Sequence, residues 1–233
     1  MTEPSAAFFN ALDGRLERYN LLKHPFYEAW SKGELTREDL REYASEYWHH
    51  VSAFPAYLSA LHSRLPDGKL RRLVLENLAD EEGLHDGTAH SDMWMDFARG
   101  MGADSAGVRA RNIAPQTRAL LEHFRAAMKE SPAAALTALY AYESRVPAIA
   151  KTKAEGLAEH YGADSVTRRY FTVHTSADVH HARVWRSALT AELAAHPEET
   201  EDALAAGEEA ARALWTALDG IEHARQARMA AAA

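Results

Sequence analysis

The stretch HTSADVHHARVW, residues 174–185, decides the fold, and it lies inside a segment of helical periodicity over 164–196. A helix turns about 100° per residue, so His174, Asp178 and His181 share one face, while His180 points roughly 100° away from it. That face is otherwise apolar. It comprises Val166, Tyr170, Val173, Ala177, Val184 and Ala188. Burying an ion costs several kcal/mol unless it is paired, hydrogen-bonded or bound to a metal. The three ionisable groups therefore need partners from elsewhere in the chain.

Two other segments offer such partners. In LRRLVLENLADEEG the apolar residues point in the same direction as Glu81, and Asp80 and Glu82 lie to either side of it. In ALTALYAYESRVPAIA the apolar face is centred on Glu143. Each of these helices is thus predicted to present one carboxylate to the interior.

Imidazoles follow Glu81 in the segment EGLHDGTAH, where Gly83 and Gly87 loosen the helix so that either His85 or His90 can reach the same point. Nitrogen and oxygen donors without sulfur are typical of a non-haem iron or manganese site, and six of them suit two metal ions bridged by carboxylates. Open coordination positions would bind and reduce dioxygen. A simple Asp–His pair without metal stays open as an alternative. The candidate set is Glu81, Glu143, Asp178, His174, His181 and one of His85 and His90.

The composition of the 233 residues excludes several classes of protein. Cysteine is absent, which rules out disulfides, iron–sulfur clusters and thiol catalysis. A formal net charge of −8 argues against nucleic acid or an anionic membrane as the main partner. The sequence has no apolar run of transmembrane length and no secretory signal, so we expect a cytoplasmic protein.

Strand-like alternation is lacking, and the sequence reads as all-α. The loop GMGADSAG at 100–107 is too short for a linker, so we expect one domain over 1–233 with a frayed tail at 226–233. Helical periodicity covers 5–20, 24–32, 37–64, 67–82, 89–99, 115–130, 133–160, 164–196 and 198–226.

Local signals mark some of these helices more closely. Thr36, with Asp39 three residues later, predicts one N-terminus. Ser131 followed by Pro132 predicts another. Pro55 and Pro147 lie inside helical patterns and are expected to kink them.

Four stretches carry a resemblance to a known family. HPFYEAWSKGELTREDLREYASEYWHHVSAFPAYLSALHS (24–63) resembles the opening of the haem-oxygenase-like fold of the thiaminase and PQQ-synthase families. ENLADEEG with HSDMW, ALYAYESRVPAIAKTK and YFTVHTSADVHHAR resemble the haem-oxygenase-like diiron oxidases, most closely the CADD-like members. These are similar to 4-aminobenzoate synthases that serve folate biosynthesis. The resemblance runs from about residue 5 to 225 and implies an all-α, single-domain bundle of about seven to nine helices.

The resemblance also implies the metal ligands and the cofactors. It selects His90 over His85, because the family histidine precedes a pattern that matches HSDMW here. The interval from Glu81 to His90 is two residues longer than the resemblance leads us to expect, which keeps His85 as an alternative. The implied centre is two irons, or a manganese–iron pair, supplied with dioxygen and an external reductant. Its ligands would be Glu81, His90, Glu143, His174, Asp178 and His181.

The family chemistry is self-sacrificing: the ring of 4-aminobenzoate is proposed to come from one of the enzyme's own tyrosines and the amine from one of its own lysines. The matching residues are Tyr27 in HPFYEAW and Lys153 in AIAKTK. Tyr43, Tyr142 and Tyr170 would line the pocket as hydrogen-bonding or electron-relay residues. Without the resemblance, Tyr27 would be an aromatic packing at a helix start and Lys153 an exposed helix lysine.

Other functions fit the same residues less well. The main alternative is a diiron oxidase that acts on an external amine, amino acid or fatty acid by N-oxygenation or C–C cleavage. A haem oxygenase would need an axial histidine, for which His24 is the candidate. A thiaminase-like hydrolase lacks its cysteine. A cofactorless PQQ-synthase-like oxidase and a non-enzymatic interaction protein leave the inward ionisable groups unexplained. We also expect a homodimer, with 24–64 as its interface.

Overall fold

The computed structural model describes residues 3–85 and 87–232, and over these ranges its regular secondary structure is helical, as the sequence predicts. Short 3₁₀ turns cover Glu17–Tyr19, Leu21–Lys23 and Pro197–Glu199. The α-helices are α1 (Glu3–Leu16), α2 (Pro25–Ser31), α3 (Arg37–Arg64), α4 (Lys69–Glu81), α5 (His90–Gly100), α6 (Ser105–Ala110), α7 (Pro115–Ala127), α8 (Pro132–Glu143), α9 (Val146–His160), α10 (Ser165–His174), α11 (Ala177–Ala195) and α12 (Thr200–Ala232).

Both helix starts predicted from capping signals are confirmed. The Thr36 hydroxyl accepts a hydrogen bond from the Asp39 N–H at 3.1 Å, and an Asp39 carboxylate oxygen accepts one from the Thr36 N–H at 3.0 Å. This reciprocal pair is a capping box, and it starts α3 at the predicted residue. At α8 the Ser131 hydroxyl accepts a hydrogen bond from the Ala134 N–H at 3.3 Å.

The predicted helix over 133–160 is two helices in the structure. α8 ends at Glu143 and α9 begins at Val146, which places Pro147 in the first turn of α9. Proline is tolerated there because the N–H it lacks would have no intrahelical acceptor. Pro147 therefore helps to start a helix, where the sequence pattern predicted a kink within one.

The predicted helix over 164–196 is also divided, between α10 and α11. The hydroxyl of Thr175 donates to the carbonyl of Thr172 at 2.7 Å, and that of Ser176 donates to the carbonyl of Val173 at 3.2 Å. These side-chain bonds supply donors to carbonyls at the end of α10, where the regular helical pattern of hydrogen bonds stops. The break separates His174 from Asp178, so their shared direction has a tertiary origin.

Two smaller differences concern the loop and the tail. The predicted loop at 100–107 contains the start of α6, which Asp104 caps by accepting a hydrogen bond from the Gly107 N–H at 2.8 Å. The tail predicted to fray over 226–233 is helical to Ala232, and Ala233 lies outside the described residues. Alanine has the highest helix propensity, which favours this extension. Within the described ranges, no helix combines the length and apolarity needed to cross a membrane.

Helix α8 lies at the centre of the bundle, and every residue from Ala133 to Ala141 is buried. Helices α7, α11 and α12 pack against it, while α10 packs on α5, and α3 packs on α4, α5 and α7. This arrangement brings the C-terminal end of α8, with Glu143, into the interior near the ends of α4 and α10.

Candidate metal centre

The six residues predicted as metal ligands all lie where helices begin or end, and each is at most 5% exposed. Glu81 ends α4 and His90 begins α5, while Glu143 ends α8. His174 ends α10, and Asp178 and His181 occupy the first turns of α11. The structure brings His90 into this cluster, whereas the side chain of His85 is 61% exposed.

Two triads within the cluster have the spacing of metal sites. Glu81, His90 and His174 each offer one ligand atom within 4.8 Å of the others, and so do Glu81, Glu143 and His181. Glu81 belongs to both triads. A shared carboxylate between two sets of nitrogen and oxygen donors is the donor arrangement of a carboxylate-bridged two-metal centre, so the residues present fit such a group.

The imidazole of His174 has the orientation that metal-bound histidines adopt. Its Nδ1 lies 2.6 Å from the carbonyl oxygen of Tyr170 and donates to it, which leaves the Nε2 lone pair for a cation. The rings of His90 and His174 lie 4.5 Å apart, and His90 Nδ1 lies 3.1 Å from Glu81 Oε2 without the alignment of a hydrogen bond. His180 is exposed, as predicted.

The pKa values of the buried groups in the cluster are set by burial and by the charged groups next to them. Burial raises the pKa of Glu143 to about 8 despite the attraction of His181. Burial lowers the pKa of His181, but Asp178 and Glu143 outweigh it and raise the value to about 10. Burial raises the pKa of Glu81, and the neighbouring His90 more than reverses that shift. Protons held by Glu143 and His181 therefore reduce the negative charge of the buried carboxylates. A bound divalent cation would displace these protons.

Two hydrogen-bond donors to Glu143 were not predicted from the sequence. Asn77 Nδ2 donates to Glu143 Oε1 at 3.1 Å, and the indole N–H of Trp185 donates to Glu143 Oε2. Asn77 lies one turn before Glu81, and Trp185 one turn after His181, so each shares a face with a predicted ligand. That spacing of four residues is the signal that could have identified them.

The buried face of α10 and α11 is rotated from the predicted one. Val166, expected in the apolar stripe, is 55% exposed, so that prediction is wrong. Phe171, Trp185 and Leu189 are buried instead. The ligands remain inward because they lie near the centre of this corrected face, where a small error in helical phase changes little.

A second polar cluster surrounds Lys153, and the alternative of an exposed lysine is wrong. The side chain is buried, and Nζ donates to Tyr27 Oη at 2.7 Å and also to Tyr43 Oη. The two hydroxyl oxygens lie 3.0 Å apart. Burial lowers the pKa of Lys153 well below 10.5 and raises the pKa values of Tyr27 and Tyr43. Burial therefore favours the neutral form of all three groups, and a neutral amine is a nucleophile.

The two clusters are separated by a wall that Tyr142 and Tyr170 share. Both line a cavity of about 30 Å³ beside Lys153 and a cavity of about 10 Å³ at the ligands. The ring of Tyr170 stacks on His174, with centroids 3.9 Å apart. Tyr142 and Tyr170 thus line both the space at the candidate ligands and the space beside the lysine.

Trp94 and Tyr47 complete this wall, and neither was predicted. The ring of Trp94 lies 4.8 Å from Tyr170 and 5.7 Å from Tyr43, and Tyr47 stacks on Tyr43 at 5.5 Å. Both residues lie on helices of which only other positions were singled out from the sequence. A continuous set of aromatic rings therefore connects His174 to Tyr43.

Comparison with known proteins agrees with this donor set. Residues 41–215 match the family described as iron-containing redox enzymes. The chain belongs to this family. Imidazole and carboxylate groups, the donors of the two triads, are the ligands that bind non-haem iron in proteins. The buried His/Glu groups of the two triads are able to hold a metal, which agrees with the iron that the family description names.

The relatives of this iron-containing redox enzyme include 4-aminobenzoate synthases. The one from Nitrosomonas europaea is 41% identical and covers 92% of this chain and 90% of its own length. The one from Chlamydia muridarum is 39% identical, with 94% and 92% covered. A solved TenA homologue from Pseudomonas syringae superposes with a TM-score of 0.77 at 17% identity, covering 94% of this chain and 92% of the homologue. The fold is haem-oxygenase-like, as the sequence resemblance implies.

His24, the candidate for a haem axial ligand, uses both of its ring nitrogens in hydrogen bonds within the protein. Its Nδ1 accepts a hydrogen bond from the Phe26 N–H at 3.2 Å, so its Nε2–H donates to Asp219 at 3.2 Å. A neutral imidazole has one donor and one acceptor nitrogen, and both are in use. His24 instead caps α2, the helix that carries Tyr27.

Proposed function

We propose that this iron-containing redox enzyme makes 4-aminobenzoate by a self-sacrificing reaction, with the ring supplied by Tyr27 and the amine by Lys153. One observation carries the proposal. The Lys153 amine lies 2.7 Å from the Tyr27 hydroxyl, in a buried site that adjoins the metal-binding cluster. The relatives named 4-aminobenzoate synthase support the choice of product.

The product defines which bonds must change. Tyr27 already carries a carbon, Cβ, on its ring and an oxygen at the opposite position. Cleavage of its Cα–Cβ bond by one dioxygen, with both oxygen atoms passing to Cβ, leaves glycine at position 27 and a ring carboxylate. Nζ of Lys153 replaces the phenol oxygen, which leaves as water. Hydrolysis of the Cε–Nζ bond then releases the aromatic amine and leaves an alcohol on the lysine carbon, so atoms and electrons balance.

The metal ligands would be Glu81, His90, Glu143, His174, Asp178 and His181, holding two irons or a manganese–iron pair. When bound and reduced by an external reductant, such a centre activates dioxygen. Burial favours the neutral form of the Lys153 amine, which lies 4.0 Å from the centre of the ring that it would attack. Tyr142 and Tyr170 lie between the two clusters and would relay electrons and protons from the tyrosine ring.

The size of the cavity beside Lys153 favours an internal source of the ring. Its volume is about 30 Å³, whereas a cavity that binds benzene has about 150 Å³. An external aromatic substrate would need the surrounding rings to move. The alternative reaction, oxidation of an added small amine, amino acid or fatty acid, therefore has less support.

Isotope labelling tests the proposal. The full chain is produced with ring-¹³C tyrosine, loaded with metal, reduced and exposed to dioxygen, and product and protein are analysed by mass. We expect ¹³C in 4-aminobenzoate and a matching loss of mass confined to the peptide that contains Tyr27. A second preparation with side-chain ¹⁵N lysine should label the amine. Unlabelled product, or product in large excess over protein from an added compound, would contradict the self-derived route.

A further inference from the structure

Asp80 lies at the edge of the metal-binding cluster and contacts one of its members. Its Oδ2 is 3.0 Å from Nε2 of His181, and its Oδ1 is hydrogen-bonded to Nδ1 of His85. The side chain of His181 is 5% exposed, that of Asp80 34% and that of His85 61%. A line of direct hydrogen bonds therefore runs from the surface to a buried candidate ligand.

The contacts of His181 differ from those of His174. His181 presents Nε2 to Asp80 and Nδ1 to Asp178, whose Oδ1 lies 3.3 Å away. A neutral imidazole carries one N–H and one lone pair. With a cation in place of the Nδ1 proton, the N–H on Nε2 would be donated to Asp80, and the Nδ1 lone pair would lie on the side of the candidate ligand Asp178. The partner of His174 is a backbone carbonyl on Nδ1, which leaves Nε2 for a cation.

We propose that Asp80 is a positioning residue for His181. Asp80 accepts the Nε2 proton and so selects the tautomer that leaves Nδ1 for the metal, while His85 holds Asp80 in place from the surface. Carboxylate partners of this kind orient metal-bound histidines and strengthen their donor nitrogen. The inference rests on the metal centre of the proposed function, but it does not depend on which product is made.

The location of Asp80 supports this assignment. It immediately precedes Glu81 at the end of α4, and α4 packs against α11, which carries His181. Asp80 therefore connects the two helices that supply Glu81 and His181. Glu82, one residue beyond Glu81, is exposed, so it offers a matched acidic control at the same helix end.

Metal affinity gives the first test. The full chain is stripped with a chelator, and Mn²⁺ is titrated under anaerobic conditions against a competing chelating dye. We expect Asp80→Ala to weaken one of the two binding events by about 10- to 100-fold. Asp80→Asn should weaken it less because the amide oxygen still accepts a hydrogen bond, and Glu82→Gln should match the wild type. Wild-type affinity in Asp80→Ala would overturn the proposal.

The tautomer gives a second test that a general loss of stability would not mimic. The protein is labelled with ¹⁵N histidine and loaded with diamagnetic Zn²⁺, and long-range ¹H–¹⁵N spectra are recorded. We expect a protonated Nε2 and a metal-bound Nδ1 for His181, with the Nε2–H signal shifted or lost in Asp80→Ala. A metal-bound Nε2 would overturn the proposal. Failure of the proposed function would show separately, as normal metal binding without 4-aminobenzoate.

Discussion

The amine of Lys153 lies 2.7 Å from the hydroxyl of Tyr27 and 4.0 Å from the centre of its ring. Both side chains are buried. Burial of an amine costs several kcal/mol when it is charged, so burial lowers the pKa of Lys153 and favours its neutral form. A residue that served stability alone would be replaced by an apolar one at lower cost.

Replacing Lys153 should abolish formation of the product without preventing the protein from folding. Lys153→Met fills a similar volume without the amine, so we expect a folded protein that makes no 4-aminobenzoate. Tyr27→Phe should also make none, because the ring oxygen that nitrogen replaces is missing. Product is measured by mass spectrometry after one exposure of the reduced, metal-loaded protein to dioxygen. Wild-type yield from Tyr27→Phe would show that another tyrosine supplies the ring.

The same lysine should make stability depend on pH. Between its lowered folded-state pKa and 10.5, the unfolded chain binds a proton at Lys153 that the folded chain does not. Unfolding therefore takes up a proton, and the stability of the wild type relative to Lys153→Met rises with pH by about 1.4 kcal/mol per unit in this window. Urea unfolding of both proteins at about pH 7 and about pH 9 measures the difference. A constant difference would mean that Lys153 is charged in the folded state.

Tyr142 and Tyr170 should affect the reaction without affecting metal binding. Because both line the two cavities, we expect Tyr142→Phe and Tyr170→Phe to bind metal as the wild type does. Their product yield should fall by about a hundredfold, the lower end of what a positioned proton-transfer group contributes. Tyr57→Phe is the control, since Tyr57 is a buried tyrosine of α3 outside both cavity linings. Equal yields from all three variants would exclude the relay.

The choice between His90 and His85 can be tested by metal stoichiometry. His90 is buried against Glu81 and His174, whereas His85 is exposed and contacts Asp80. At saturating metal we expect His90→Ala to lose one of two ions and His85→Ala to keep both. Metal analysis after desalting gives the count. Loss of an ion from His85→Ala alone would restore His85 as the ligand.

Metal should stabilise the fold through the same residues. A ligand at a hundred times its Kd adds about 2.7 kcal/mol, which for a chain of this size raises Tm by roughly 5–10 °C. We expect this difference between the metal-loaded and the chelator-treated wild type, measured anaerobically by calorimetry. In His174→Ala most of the increase should vanish. An equal increase in that variant would place the metal elsewhere.

The sequence alone determined the helical class and the starts of α3 and α8. It also determined which candidate ligands lie on the buried face of their own helices, namely Glu81, Glu143, His174, Asp178 and His181. The choice of His90 over His85 came from the family resemblance. Those features depend on local signals, namely capping side chains and the 3.6-residue period, which each segment carries by itself. The resemblance added Tyr27 and Lys153, which no local pattern singles out.

Only the tertiary structure decided where the helices break and which side chains meet. The ends of α8 and α10 fall at Glu143 and His174, although the period of both sequences continues past them. The contact of Lys153 with Tyr27 spans 126 positions, and that of Asp80 with His181 spans 101. Such pairs form when packed helices bring distant segments together, so their energies do not appear in any local window of sequence. HTSADVHHARVW shows both aspects: its residues indicate the chemistry, while the packing of α4, α5 and α8 places the partners around it.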